Sequence, residues 1–212
     1  SLARQLVGGF AITVLNNAAR PFGDAAIAAI AIAQRIVSFG NYIQIGIGQG
    51  FQPVCGYNYG AGRYERVREG MRFAHRAAFG VVAVVCTVTF AFAPQIVGVF
   101  RNDPEVIRIA TVTLRFQSVT LALTGVAMIT NFALQTTGRM WRATFLGLCR
   151  LGLALAPAVA IMSRLFGLAG VEAAQSVADV VTVSVAIPMT IGLGRELRER
   201  EAAAAKDGAA RA

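Results

Sequence analysis

The chain is poor in the side chains that most often carry catalysis or bind metal: its 212 residues include one histidine, His75, and three cysteines, Cys55, Cys86 and Cys149. An odd number of cysteines, widely spaced and each embedded in apolar sequence, suggests neither a disulfide framework nor a metal cluster, and all three read as packing residues. His75 lies in an Arg-rich stretch, and no Ser, His and carboxylate arrangement can be assembled inside the apolar segments. HExxH, P-loop and CxxC motifs are missing as well. No enzyme is expected, and no cofactor or metal is implied. Charged residues make up only 15% of the chain, and 19 of the 20 basic ones are Arg, leaving Lys206 as the exception. Although the formal charge is +9, these arginines sit in short runs between apolar segments rather than on one continuous face, which argues against nucleic acid as a partner. No n-region, short apolar core and small-residue cleavage site is visible, so no signal peptide is read. With Ser at position 1, the chain is expected to begin inside a longer protein.

What the chain has instead is apolar surface. Hydrophobic residues reach 56% and the mean hydropathy is +0.59, values that point to lipid rather than water as the solvent. A bilayer core about 30 Å thick needs roughly 20 residues of apolar helix. Six runs of that kind are predicted as transmembrane helices: Gln5–Ala19, Ala25–Cys55, Ala77–Phe100, Phe116–Gly138, Ala143–Phe166 and Leu168–Leu193. The first is short and reads as a helix clipped by truncation. Pro94 lies near the end of the third, and Pro157 and Pro188 lie inside the fifth and sixth, where kinks are expected. The fold class is thus an all-α six-transmembrane-helix bundle over 1–194. A charged, Ala-rich tail over 195–212 is expected to be a frayed helix running into disorder.

Basic residues choose the side of the membrane, because Lys and Arg in short loops are retained in the cytoplasm. Thirteen of them flank one set of alternate connections, including Arg63, Arg66, Arg68, Arg72, Arg76, Arg139 and Arg142, against four on the other, Arg20, Arg101, Arg108 and Arg164. Both ends are therefore expected in the cytoplasm of a multi-pass plasma-membrane protein. Trp141, Tyr57, Tyr59 and Tyr64 fall beside the basic connections, where an interfacial aromatic belt belongs.

Polar groups inside hydrocarbon are costly, so those that occur there face other helices or a hydrated cavity. In the second span Arg35, Ser38, Tyr42, Gln49 and Gln52 follow steps of three, four, seven and three, which keeps them on one helical face. In the fourth, Gln117, Thr120, Thr124, Asn131 and Gln135 do the same, with Met128 in the gap. Glu172, Gln175, Asp179 and Thr182 form a third stripe in the sixth span, and Thr13, Asn16 and Asn17 mark the first. Taken singly, such residues are interhelical glue. Aligned stripes on several helices favour a hydrated pathway, with Asn16, Asn17, Tyr42, Gln49, Gln52, Met128, Asn131 and Gln135 as candidate substrate contacts. Gln49 and Gln52 lead them.

Arg35, Arg150 and Asp179 are the charged groups deepest within spans. Arg150 is placed to snorkel towards the cytoplasmic headgroups. Asp179, eleven residues into its span, is either one half of a buried ion pair or a proton or cation site, and is the ion-coupling candidate. The glycines Gly40, Gly46, Gly48 and Gly50 include a GIGQG run, but with no strand before it this is close helix packing rather than a dinucleotide fingerprint.

Four segments together resemble one family. GIGQGFQPVCGYNYGAGRYERVREGMRFA (Gly46–Ala74), NNAARPFGDAAIAAIAIAQRIVSF (Asn16–Phe39), FALQTTGRMWRATFLGLCRLGLALAP (Phe132–Pro157) and GLAGVEAAQSVADVV (Gly167–Val181) are similar to parts of MATE (multidrug and toxic compound extrusion) transporters, nearest the MepA-like bacterial branch. The resemblance implies the carboxy-terminal half of a twelve-helix, pseudo-two-fold transporter whose partner is a homologous amino-terminal six-helix half. It also implies exchange of small cationic or amphipathic drugs for protons or sodium ions, within membrane lipid and without a cofactor. One branch of that family binds a cation through an acid in the tenth helix. The comparable LTGVAMITNF (Leu123–Phe132) has no acid. Two other readings remain open: a flippase for lipid-linked oligosaccharides or polysaccharides, which would hold several cationic side chains in its cavity, and a non-transporting scaffold or channel-like subunit.

Overall fold

The computed structural model describes residues 9, 13–15 and 17–211, and every regular element among them is helical. After a 3-10 turn at Arg20–Phe22 come α1 (Asp24–Gly60), α2 (Tyr64–Ala91), α3 (Ala93–Phe100), α4 (Pro104–Thr136) and α5 (Met140–Leu148). A wide π turn at Cys149–Leu153 then leads into α6 (Leu155–Arg211). Four stretches are long and apolar enough to cross a membrane: α1, α2, α4 and Leu155–Ala204. This is an all-α, multi-pass membrane protein.

Local chemistry explains where the helices stop. Gly23, at φ 89°, turns the chain into α1, and Gly62, at φ 70°, turns it out towards α2, a backbone region that costs glycine nothing. Asp103 caps α4 by accepting from the backbone N–H of Glu105 at 3.0 Å and of Val106 at 3.4 Å, and Pro104 fills the first helical position, where no N–H is needed. Pro94 acts as its position predicts: the third span breaks at Phe92 and restarts as α3. Pro157 acts through the turn before it. A proline ring crowds the carbonyl four residues earlier, here that of Leu153, and the chain widens so that Ala154 N–H reaches Cys149 O at 2.8 Å. The helix carries on through Pro53 and Pro188.

The fifth and sixth expected spans are the two arms of one long helical run that is interrupted at Gly167, where φ is 57° and ψ is −131°. Gly170 completes the reversal, because a Cβ there would collide with the main-chain carbonyl of Met162. Most of the first expected span lies outside the described residues, although Leu15 and Ala19 are buried.

α4 stands at the centre and touches each of the other helices, which is why buried residues occur all round it. α1 buries Gly40, Gln44, Gly48, Phe51 and Cys55, spaced three or four apart; Gly40, Gln44 and Gly48 meet α4, and the Phe51 ring lies against Gly70 of α2. At Gly40 the neighbour is Leu121, and at Gly48 it is the Phe132 ring, so near that a Cβ at Gly48 would strike it. Gly46 and Gly50 face open space instead, so only half of the glycine cluster serves close packing.

The tail over 195–212 was expected to be a frayed helix running into disorder; among the described residues the helix runs on to Arg211, and its first turns are docked. Leu193 and Leu197 are buried. Arg68 on α2 donates to Glu201 at 2.5 Å, Arg139 pairs with Glu196, and the Arg200 guanidinium lies 5.7 Å from the centre of the Tyr59 ring. A charged composition read from sequence gave no hint that two other helices and the turn after α4 would supply partners.

Candidate functional site

On the side of α4 that faces α1 and the π turn there is a cavity of about 380 Å³. α1 contributes Ile45 and Gln49; α4 contributes Ala127, Met128, Asn131 and Phe132. Leu146 and Gly147 come from α5, Arg150 from the π turn and Thr182 from α6. The register of each helix explains the set. Gln49 lies four residues beyond Ile45, and Phe132 four beyond Met128, so each pair projects from one side.

The cavity is amphipathic. Met128 and Phe132 offer adaptable apolar surface, while Gln49, Asn131, Thr182 and Arg150 offer hydrogen bonds. Asn131 is held at both ends: its Nδ2 donates to Ala143 O at 2.6 Å, and its Oδ1 accepts from Gln135 Nε2. Gln49 is exposed and has no side-chain partner among the described residues. Arg150 does not snorkel. The π turn swings its guanidinium inward, where Nε donates to Asp179 Oδ1 at 3.3 Å and Nη2 donates to Asn41 Oδ1 at 2.8 Å. Asp179 is 3% exposed and sits behind Arg150 rather than on the cavity wall. The cavity's one charge is therefore neutralised from behind.

Not every candidate residue joins this site. Gln49, Met128 and Asn131 line it, and Gln135 supports it through Asn131. Tyr42 is 67% exposed on α1 and does not line it. Gln52 is half-buried outside it, Asn17 is exposed before α1, and Asn16 lies outside the described residues. The α4 stripe divides in two: Gln117, Thr120 and Thr124 point into packed interior, and only its later part opens to the cavity.

Sequence reasoning passed over three residues. Gln44 is fully buried, donating from Nε2 to Leu121 O at 2.7 Å and accepting the Thr124 hydroxyl at 3.1 Å. Its spacing of four from both Gly40 and Gly48 was the available signal. Asn41 gave none, because its role depends on Arg150, distant in sequence. His75 is not a loop residue: it stands on α2, Nδ1 donating to Met71 O at 2.8 Å and Nε2 facing the Thr130 hydroxyl at 3.3 Å, which in turn meets Thr190 at 2.6 Å.

Comparison with known proteins agrees with this architecture. Residues 4–160 match the MatE family. The multidrug export protein MepA of Staphylococcus aureus is 32% identical over 168 residues, covering 79% of this chain and 37% of that protein. MepA of Staphylococcus saprophyticus is 28% identical over the same coverage. Among solved structures, the Vibrio cholerae MATE transporter VcmN in its bent form superposes with a TM-score of 0.86 at 20% identity, over 93% of this chain and 45% of that one. A Pyrococcus furiosus transporter of the MOP superfamily gives 0.86 at 23% identity, over 92% and 45%. At these identities the structural likeness is one of fold. The chain spans 37% of the length of these curated relatives and under half of the solved transporters.

Proposed function

The chain belongs to the MatE family, and on that premise we propose that it forms the carboxy-terminal half of a secondary exporter that moves small cationic or amphipathic drugs in exchange for protons or sodium ions. The single observation that carries this reading is the amphipathic cavity of about 380 Å³, walled by amides, a hydroxyl and flexible apolar side chains. Such a lining suits polyspecific binding. Each amide offers donors and an acceptor, while Met128 and Phe132 repack around differently shaped apolar bodies. A homologous amino-terminal bundle completes the transport path, and Asp179 is the coupling candidate in this half. A flippase for pyrophosphate-linked substrates is less well supported, because the one guanidinium on the cavity wall is already engaged by Asp179.

In the intact transporter, Gln49→Ala and Asn131→Ala should each change the relative resistance to structurally different drugs at least about threefold, with membrane abundance little altered. Growth inhibition against a panel of cationic and neutral amphipathic compounds measures this. A uniform loss in proportion to lost protein would assign both residues to packing and sink the cavity as a substrate site.

The same reading places the Arg-rich connections in the cytoplasm. Single cysteines at Ala61 and Asn102, both exposed and at opposite ends of the bundle, should react from opposite sides in a Cys-free background. Asn102→Cys should label in intact cells with a membrane-impermeant thiol reagent, and Ala61→Cys only after permeabilisation. Labelling of both from outside would overturn the topology.

A further inference from the structure

Arg115 is a cation that the cavity does not use. It is exposed on α4, and its guanidinium lies 5.4 Å from the centre of the Phe90 ring of α2. No carboxylate comes within ion-pair distance of it among the described residues. Its depth can be read from the helix. Residues 116–138 contain no charge, and Arg139 and Arg142 follow at the other end. At 1.5 Å per residue such a run matches a hydrocarbon core of about 30 Å. Arg115 therefore stands at the headgroup boundary of the leaflet opposite the Arg-rich connections.

Beneath it runs a groove between two antiparallel helices. One hollow of about 290 Å³ is lined by Phe90, Val112, Arg115, Phe116 and Val119. A second, also about 290 Å³, includes Cys86, Thr87 and Ser118, and shares Phe90 and Val119 with the first. Cys86 and Thr87 are deeper in the membrane than Phe90 on α2, as Ser118 is deeper than Arg115 on α4. The hydroxyls in this groove are already bonded within their own helices, Thr87 to Ala83 O at 2.8 Å and Ser118 to Leu114 O at 2.7 Å. A single slot thus descends from a guanidinium towards the membrane centre, and its walls offer apolar contact only.

We infer that this groove binds one phospholipid with an anionic headgroup, its phosphodiester on Arg115 and an acyl chain along Phe90 and Val119. An unpaired guanidinium at the edge of hydrocarbon is costly. A phosphodiester supplies two oxygens that a planar guanidinium can engage together, and stacking on Phe90 limits how far it can move. Basic sites between membrane helices take acidic headgroups for the same reason. A net negative lipid is preferred, since the ammonium of a zwitterionic lipid competes with Arg115 for the phosphate.

The test is native mass spectrometry of the intact, delipidated transporter titrated with phosphatidylglycerol or with phosphatidylcholine of the same acyl chains. The wild type should retain one phosphatidylglycerol at least fivefold more than phosphatidylcholine, and Arg115→Gln should erase that preference. Arg101→Gln, a surface change outside the groove, should leave it intact. Val119→Trp, which fills the slot without touching the charge, should reduce retention of both lipids and keeps the inference testable if Arg115→Gln expresses poorly. Undiminished preference in Arg115→Gln overturns the site. Displacement of phosphatidylglycerol by millimolar inorganic phosphate also overturns it, because the site would then take the anion alone.

Discussion

Asp179→Ala is expected to be among the most destabilising single changes in the bundle. The carboxylate it removes is 3% exposed and is the counter-charge of Arg150, so the substitution leaves a half-buried guanidinium on the cavity wall with only Asn41 to satisfy it. Breaking a fully buried pair from one side costs about 3–5 kcal/mol, and a guanidinium that borders a cavity puts this pair at the lower end, whereas replacing both members with neutral groups of similar shape is often nearly neutral. The double variant Arg150→Gln with Asp179→Asn should therefore recover more than half of the stability lost in Asp179→Ala. Thermal unfolding of the purified transporter in detergent gives both numbers. A wild-type melting temperature for Asp179→Ala, or a double variant no better than the single one, would show that the pair does not hold the π turn in place. Asp179→Asn alone separates structure from coupling, since the amide keeps the shape and an acceptor but cannot exchange a proton. Normal stability with lost export would mark Asp179 as a coupling residue; undiminished export would assign it to structure.

The second large effect is expected at the reversal between the two arms of α6. Alanine at Gly170 drives a Cβ into the main-chain carbonyl of Met162, and a backbone atom cannot swing aside as a side chain does. Overpacking of this kind costs roughly 1–3 kcal/mol and occasionally more; a backbone obstacle puts Gly170→Ala at the upper end. Gly192→Ala makes the contrast, because nothing lies within 4 Å of a Cβ there. In an exposed helix interior that change is favourable by up to about 1 kcal/mol. The two substitutions are chemically identical and lie on the same helical run, yet their effects on melting temperature and membrane abundance should have opposite signs. Equal effects would mean that the arms do not approach each other as the structure has them.

How much of this was legible in advance depends on what kind of information each feature needs. Membrane spans are one-dimensional signals, so the runs with one charge or none after Ala25, Ala77 and Phe116 correspond to α1, to α2 with α3, and to α4. Pro94 likewise broke its helix where a missing N–H must. Spacing also showed that Arg35, Tyr42 and Gln49 share a face. It did not show which way that face points: the side of α1 packed against α4 carries Gln44 between two glycines, while Tyr42 looks outward. Nor does spacing announce that Pro157 widens the turn before it and so aims Arg150 at a carboxylate 29 positions away. Pairings such as Arg68 with Glu201, 133 positions apart, are properties of the fold and leave no trace in local composition.

Those tail pairings have a mechanical consequence. The helix that begins after Gly167 extends to Arg211, and at 1.5 Å per residue it is about twice as long as a hydrocarbon core is thick. It emerges as a stiff rod cross-linked to the start of α2 at Arg68, to the turn after α4 at Arg139 and to the end of α1 at Tyr59. Three places that would otherwise flex separately are thereby braced to one shaft. Torque applied to that shaft inside the bilayer reaches the whole Arg-rich rim together, and a load on the rim is returned along the same axis.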